Sequence, residues 1–155
     1  MSKDIYNRNL YELSQVPATK TTSFNSGAID SQNLQGLAFL VLYGATGDTL
    51  STNVKVGVKI QKSITSNFSV AVDCDAAEII SSAGALSSNS IANIDDNAED
   101  ATVYGCGVKI DPNYRYYRAA VTFTGSHTYG IPMAILAIKE PIVIPDTTNN
   151  LSNPA

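Results

Sequence analysis

The segment NVKVGVKIQK, residues 53–62, alternates strictly: Val54, Val56, Val58 and Ile60 stand between Lys55, Gly57, Lys59 and Gln61. A period of two is that of a β-strand, whose successive side chains point to opposite faces, so this segment reads as a strand with one face on a core and one in water. Burying each valine is worth about 1.5–3 kcal/mol, and a slip of one residue would turn the whole apolar set to solvent, so the register is expected to be firm. Just before it, LAFLVLYGATGDTL (37–50) opens with a continuous apolar run from Leu37 to Tyr43 and ends in Gly and Asp turn residues. That pattern predicts a strand buried on both faces followed by a loop, with the two strands pairing as a long hairpin.

The same logic extends downstream. VYGCGVKI (103–110) puts Tyr104, Cys106, Val108 and Ile110 on one face, and Asp111, Pro112 and Asn113 make a turn. YYRAAVTFT (116–124) places Tyr117, Ala119, Val121 and Phe123 inward and Tyr116, Arg118, Thr122 and Thr124 outward. GSHTYG (125–130) is loop chemistry, and IPMAILAI (131–138) returns as a strand apolar on both faces. Residues 66–82 are expected to hold a strand through Phe68, Val70 and Val72 and then a loop or short helical turn. Residues 83–100 read as a long surface excursion.

Together these patterns predict an all-β, single-domain antiparallel β-sandwich of about six to eight strands, for which a jelly-roll-like order is one arrangement. A chain of 155 residues is long enough for one such core. The domain is placed at residues 27–138. Residues 1–26, polar and Thr/Ser/Asn-rich, and residues 139–155, holding three of the six prolines, are read as N- and C-terminal arms. No secretory h-region or membrane-length apolar run is visible, so a protein made in a cytoplasm and without a membrane partner is expected.

Function classes are limited by the same composition. A formal charge of -4 lacks the positive field that non-specific nucleic-acid binding requires, so direct nucleic-acid contact is not expected. Cys74 and Cys106 lie far apart without CxxC spacing and read as buried thiols. The acidic run Asp95, Asp96, Glu99 and Asp100 lacks the EF-hand spacing and glycine, GATGDT lacks the P-loop lysine, and Asp73 with Asp75 form only a short DxD. The sequons at 67–69 and 150–152 carry no weight without a secretory signal. His127 is the sole histidine, set at an expected hairpin tip, with no nucleophile motif elsewhere. No catalytic residue, metal or cofactor is therefore expected.

The candidate site is an interface instead. Tyr and Arg are enriched at interaction hot spots, which singles out Tyr114, Arg115, Tyr116 and Arg118, although the same residues also suit a solvated strand face with cross-strand pairs. The hydrophobic triplet Ile142, Val143 and Ile144, framed by prolines, is awkward for a monomer and points to packing along the domain or across a neighbouring subunit.

The order of GDTLSTNVKVGVKIQKS (47–63), NYRYYRAAVTFTGSHTYG (113–130) and IPMAILAIKEP (131–141) resembles small structural proteins encoded in the head-gene clusters of tailed bacteriophages and prophages. The resemblance covers residues 27–140, and the N-terminal segment and residues 83–100 fall outside its pattern. It implies a decoration or cement protein on the capsid exterior, a homo-oligomer, often a trimer, whose partner is the major capsid protein. The family carries no catalytic residues to transfer. A carbohydrate-binding sandwich is the alternative from another class, a hydrolase a weaker one, and a different head or tail component shares the structural reading.

Overall fold

The computed structural model describes residues 9–81 and 89–142. Its strands are β1 (Leu10–Lys20), β2 (Phe24–Asn25), β3 (Ile29–Asp30), β4 (Leu34–Tyr43), β5 (Lys55–Ser63), β6 (Val72–Asp73), β7 (Ile79–Ser81), β8 (Ser90–Ile94), β9 (Val103–Val108), β10 (Tyr116–Thr124) and β11 (Ile131–Pro141), with a 3-10 turn at Ala76–Glu78. All pairings are antiparallel, and the strands form two packed sheets. The first sheet has the order β1-β11-β4-β9-β7; the second runs β2-β10-β5-β6, with β3 also on β10 and β8 also on β5. The chain is thus an all-β sandwich. Among the described residues no helix is long and apolar enough to cross a membrane.

The inward residues are those the alternation assigns. Val56, Val58 and Ile60 of β5 and Tyr117, Ala119 and Val121 of β10 are buried, across the core from the buried Ile131, Met133, Ile135 and Ala137 of β11 and Phe39 and Val41 of β4. Cys74 and Cys106 lie in this core as free thiols, and burial pushes each up to about 12.

Pairing departs from expectation. β4 and β5 do not form a hairpin: β4 pairs with β11 and β9, whereas β5 pairs with β10. β10 and β11 are likewise in opposite sheets, so GSHTYG is a crossover between layers and not a hairpin tip. Alternation fixes which side of a strand is buried but is silent on its neighbour, and the connections at 44–54 and 125–130 can each cross the ~10 Å between sheets.

Other segments are corrected too. Residues 66–82 do not hold a strand through Phe68 and Val70: the Asn67 carboxamide accepts the Ser69 N–H and the Thr65 hydroxyl, making a turn in which Phe68 adopts φ 51° and is buried. The excursion expected at 83–100 contains β8, whose Ile91, Ala92 and Ile94 enter the core. Within the expected N-terminal arm, Leu10–Lys20 is the edge strand of the first sheet, paired along β11 with irregularities between Leu13 and Gln15 and between Gln15 and Ala18. Lys139 to Pro141, assigned to the C-terminal arm, complete β11. Residues 143–155 lie outside the described residues.

Candidate functional site

Tyr116 and Arg118 sit on β10 at the outer side of the second sheet, Arg115 stands just before the strand, and Tyr114 packs against the edge of the core. The Arg115 guanidinium grips Asp30 of β3, Nε to Oδ1 at 3.0 Å and Nη2 to Oδ2 at 2.7 Å, and lies over the Tyr116 ring at 5.3 Å. This holds the Asp30 carboxyl below the usual carboxylate range. Arg118 donates from Nε and Nη2 to Gln61 Oε1, at 3.0 and 2.8 Å, and covers the Phe68 ring at 4.2 Å. Gln61 passes the contact to Asp73, which also pairs with Lys59 at 3.0 Å. The DxD aspartate is therefore part of a cross-strand polar network. Tyr114 lies 4.6 Å below Lys62 Nζ.

Ile142 is near this group in space. Its N–H donates to Asn33 O, and the Ser31 N–H donates to Arg115 O, so the short turn 31–34 joins the end of β11 to the start of β10. Val143 and Ile144 are outside the described residues. A depression of about 260 Å³ lined by Ser31, Gln32, Tyr114 and Arg115 adjoins the turn. It falls below the ~300–1,000 Å³ of small-molecule sites.

Lys62 anchors the same end. Its side chain is 8% exposed, and Nζ meets Glu78 at 2.5 Å and Asp111 at 3.0 Å. Burial alone would lower its pKa, but the two carboxylates outweigh this and hold it above the ordinary lysine value. The Asp111 N–H in turn donates to the Tyr117 hydroxyl, which ties the turn to the core.

At the opposite end, two loops that look unrelated in sequence meet. The Asp48 carboxylate accepts the N–H groups of Thr128, Tyr129 and Gly130 at 2.9, 3.0 and 2.9 Å. His127 is fully enclosed, with Nε2 at 3.0 Å from Thr124 O, Nδ1 at 3.7 Å from Asp48 Oδ2 and its ring edge-on to Phe123. It presents no nitrogen to solvent and faces no nucleophile, so its part is to fill and shape the crossover. The acidic run is used in the same way: Asp100 accepts the Thr46 N–H, Glu99 the Asp95 N–H and Asp96 the Ala98 N–H. Among the described residues no cluster of acidic, His or Cys side chains is arranged to hold a metal ion.

The two outer faces differ sharply in chemistry. That of the second sheet carries Lys59, Gln61, Asp73 and Arg118, joined by the contacts above, and the exposed Thr122. That of the first sheet follows from its register. One row crosses all five strands as Tyr11, Ile138, Ala38, Gly107 and Ile80. The next reads Leu13, Leu136, Leu40 and Gly105, and a third reads Ala134, Leu42 and Val103. Every position in these rows is apolar or glycine. Leu13 is 56% exposed, Val103 56%, Ile80 70% and Leu42 39%. This corrects the expectation that β4 is buried on both faces: Leu37, Phe39 and Val41 are enclosed, while its other side meets solvent. The signal was present in the sequence as continuous apolar runs at 37–43 and 131–138, which read equally well as doubly buried strands.

Comparison of the chain with protein-family models, with curated proteins and with solved structures gives no match.

Proposed function

We propose that this chain is a structural component of a phage particle, an auxiliary head protein of the decoration or cement kind. It works by self-association and by attachment to a lattice of the major capsid protein on the capsid exterior. The particle and the partner come from the resemblance of residues 27–140; the observation that carries an associative role is the apolar outer face of the first sheet, with Leu13, Leu42, Ile80 and Val103 exposed. Such a protein needs no chemistry: it adds binding free energy across joints of the shell, and many copies on one shell let modest contacts suffice.

The arrangement of the aromatic residues favours this over glycan binding. Tyr114 and Tyr116 are each faced by a cation of the same chain, Lys62 and Arg115, so those ring faces are already engaged. The test is co-sedimentation of the purified protein with empty heads, together with its copy number in purified particles. Saturable binding at a copy number matching the lattice supports decoration. A few copies per particle would assign it to another head or tail position, and no binding to shells would reject the reading.

A further inference from the structure

We infer that the apolar outer face of the first sheet is a homotypic interface, covered by the same face of a second copy of this chain. Three observations select that occupant. The first is chemical: rows such as Leu13–Leu136–Leu40 and Leu42–Val103 bring no charge to the middle of the face, and its carboxylate, Glu140 opposite Gly36, stands at the rim near the end of β11, so two copies can meet without burying an unpaired ion. The second is shape. Beyond Val103, Gly105 and Gly107 leave β9 without side chains on this side, and a Cβ at Gly105 would come within 2.9 Å of Leu40 Cδ2, so Leu40 lies down over β9 and the surface there stays flat.

The third is area. The strands of this sheet hold 11, 11, 10, 6 and 3 residues, or 41 in all. At ~3.4 Å rise and ~4.8 Å spacing they project roughly 650 Å², before side-chain relief, against the ~800 Å² each partner contributes to a standard interface. Growth by strand addition is blocked at both edges. β1 is broken by two irregularities and carries Pro17, and β7 is only three residues long. Contact is left to the faces, stacked as aligned sheets across a two-fold axis. The contact deepens the association proposed above and rests on that reading only for its biological setting. The elementary unit becomes a pair, not the trimer that the resemblance implies.

The test is mass by light scattering at tens of micromolar protein, for the full chain, Leu42→Glu, and the double variant Leu42→Glu/Val103→Lys. The double variant places opposite charges on cross-strand partners, so the sheet keeps its pairing while the face gains ions. Thr122→Glu, on the exposed outer side of the second sheet, is the control. The expected result is twice 16.4 kDa for the full chain and the control, and 16.4 kDa for both face variants with an unchanged circular dichroism spectrum. The self-dissociation constant should rise about a hundredfold or more, since each pair would carry the charge twice. A monomeric or trimeric full chain overturns the inference, as does a pair that survives both variants. Shell binding is scored separately. Pairs that ignore shells leave the interface standing and remove the cement reading; a monomer that binds shells through Leu42 and Val103 gives the face to the capsid protein and overturns the inference.

Discussion

Replacing Gly130 with Ala is the sharpest probe of how the loops at one end of the sandwich are locked together. Gly130 opens β11 at φ +73°, donates its N–H to Asp48 and accepts the Thr46 hydroxyl on its carbonyl. An L-residue in that left-handed conformation costs about 1–2 kcal/mol. A Cβ there would also lie 2.5 Å from Lys20 O and 2.8 Å from Thr21 Cγ2. The first neighbour is backbone, held by the pairing of Lys20 with Ile131, so relief requires moving the end of β1. Taking roughly 1–2 kcal/mol for that shift and returning about 0.4–1 kcal/mol for the stiffer unfolded chain leaves a net loss of about 1.5–3 kcal/mol. With a urea slope of about 1.5–2 kcal/mol per molar, the midpoint should fall by about 1–2 M. Gly57→Ala is the matched control, because its Cβ would have no contact closer than 3.8 Å and its φ is ordinary. Its midpoint should move by no more than about 0.5 kcal/mol allows. Equal midpoints for the two variants, by urea unfolding followed with far-ultraviolet circular dichroism, would refute the reasoning.

Three further predictions concern buried charge and thiols. The N–H groups of Tyr129, Gly130 and Thr128 hold the Asp48 carboxyl below its ordinary value, so its contribution is present above about pH 4 and is lost as pH falls through the lower folded value. Asp48→Asn should therefore destabilise at pH 7, and its gap from wild type should close on acidification; a gap that widens towards pH 3 counts against the clamp. Lys62→Met should cost about 2 kcal/mol, less than a fully buried pair because both carboxylates keep some solvent access. Arg115→Met, at an ion pair whose side chains are 48% and 42% exposed, should cost visibly less in the same thermal melts, and an equal loss would contradict the burial of Lys62. Cys74 and Cys106 should be inert to Ellman's reagent in the native protein and both react in urea, since burial raises both thiols; prompt native labelling of either would place it outside the core.

The alternation of 53–62 and 116–124 identified the inward residues, because burial of one face leaves a period of two in any single strand. Strand order was not legible, since a period carries no information about the neighbour and the long strands pass from sheet to sheet. β1 escaped notice because its two irregularities break the period around Gln15 and Pro17. The Asp48 clamp joins residues 80 to 82 positions apart, which no local pattern encodes. The Tyr/Arg set is contiguous in sequence, but its partners Asp30, Gln61 and Phe68 lie on other elements, so residues that read as interface chemistry also make contacts within the chain.

The position of β11 between β1 and β4 has a consequence for how the protein is made. A ribosome releases β1 and β4 long before Ile131–Pro141, the strand that both of them pair with. Until that strand emerges, β1 lacks the strand it pairs with and β4 has only β9, and non-local pairing of this kind closes slowly. A truncated nascent chain thus cannot form the flat face of the first sheet. Only a chain translated through β11 would present that face to the second copy inferred above, so translation itself screens what can associate.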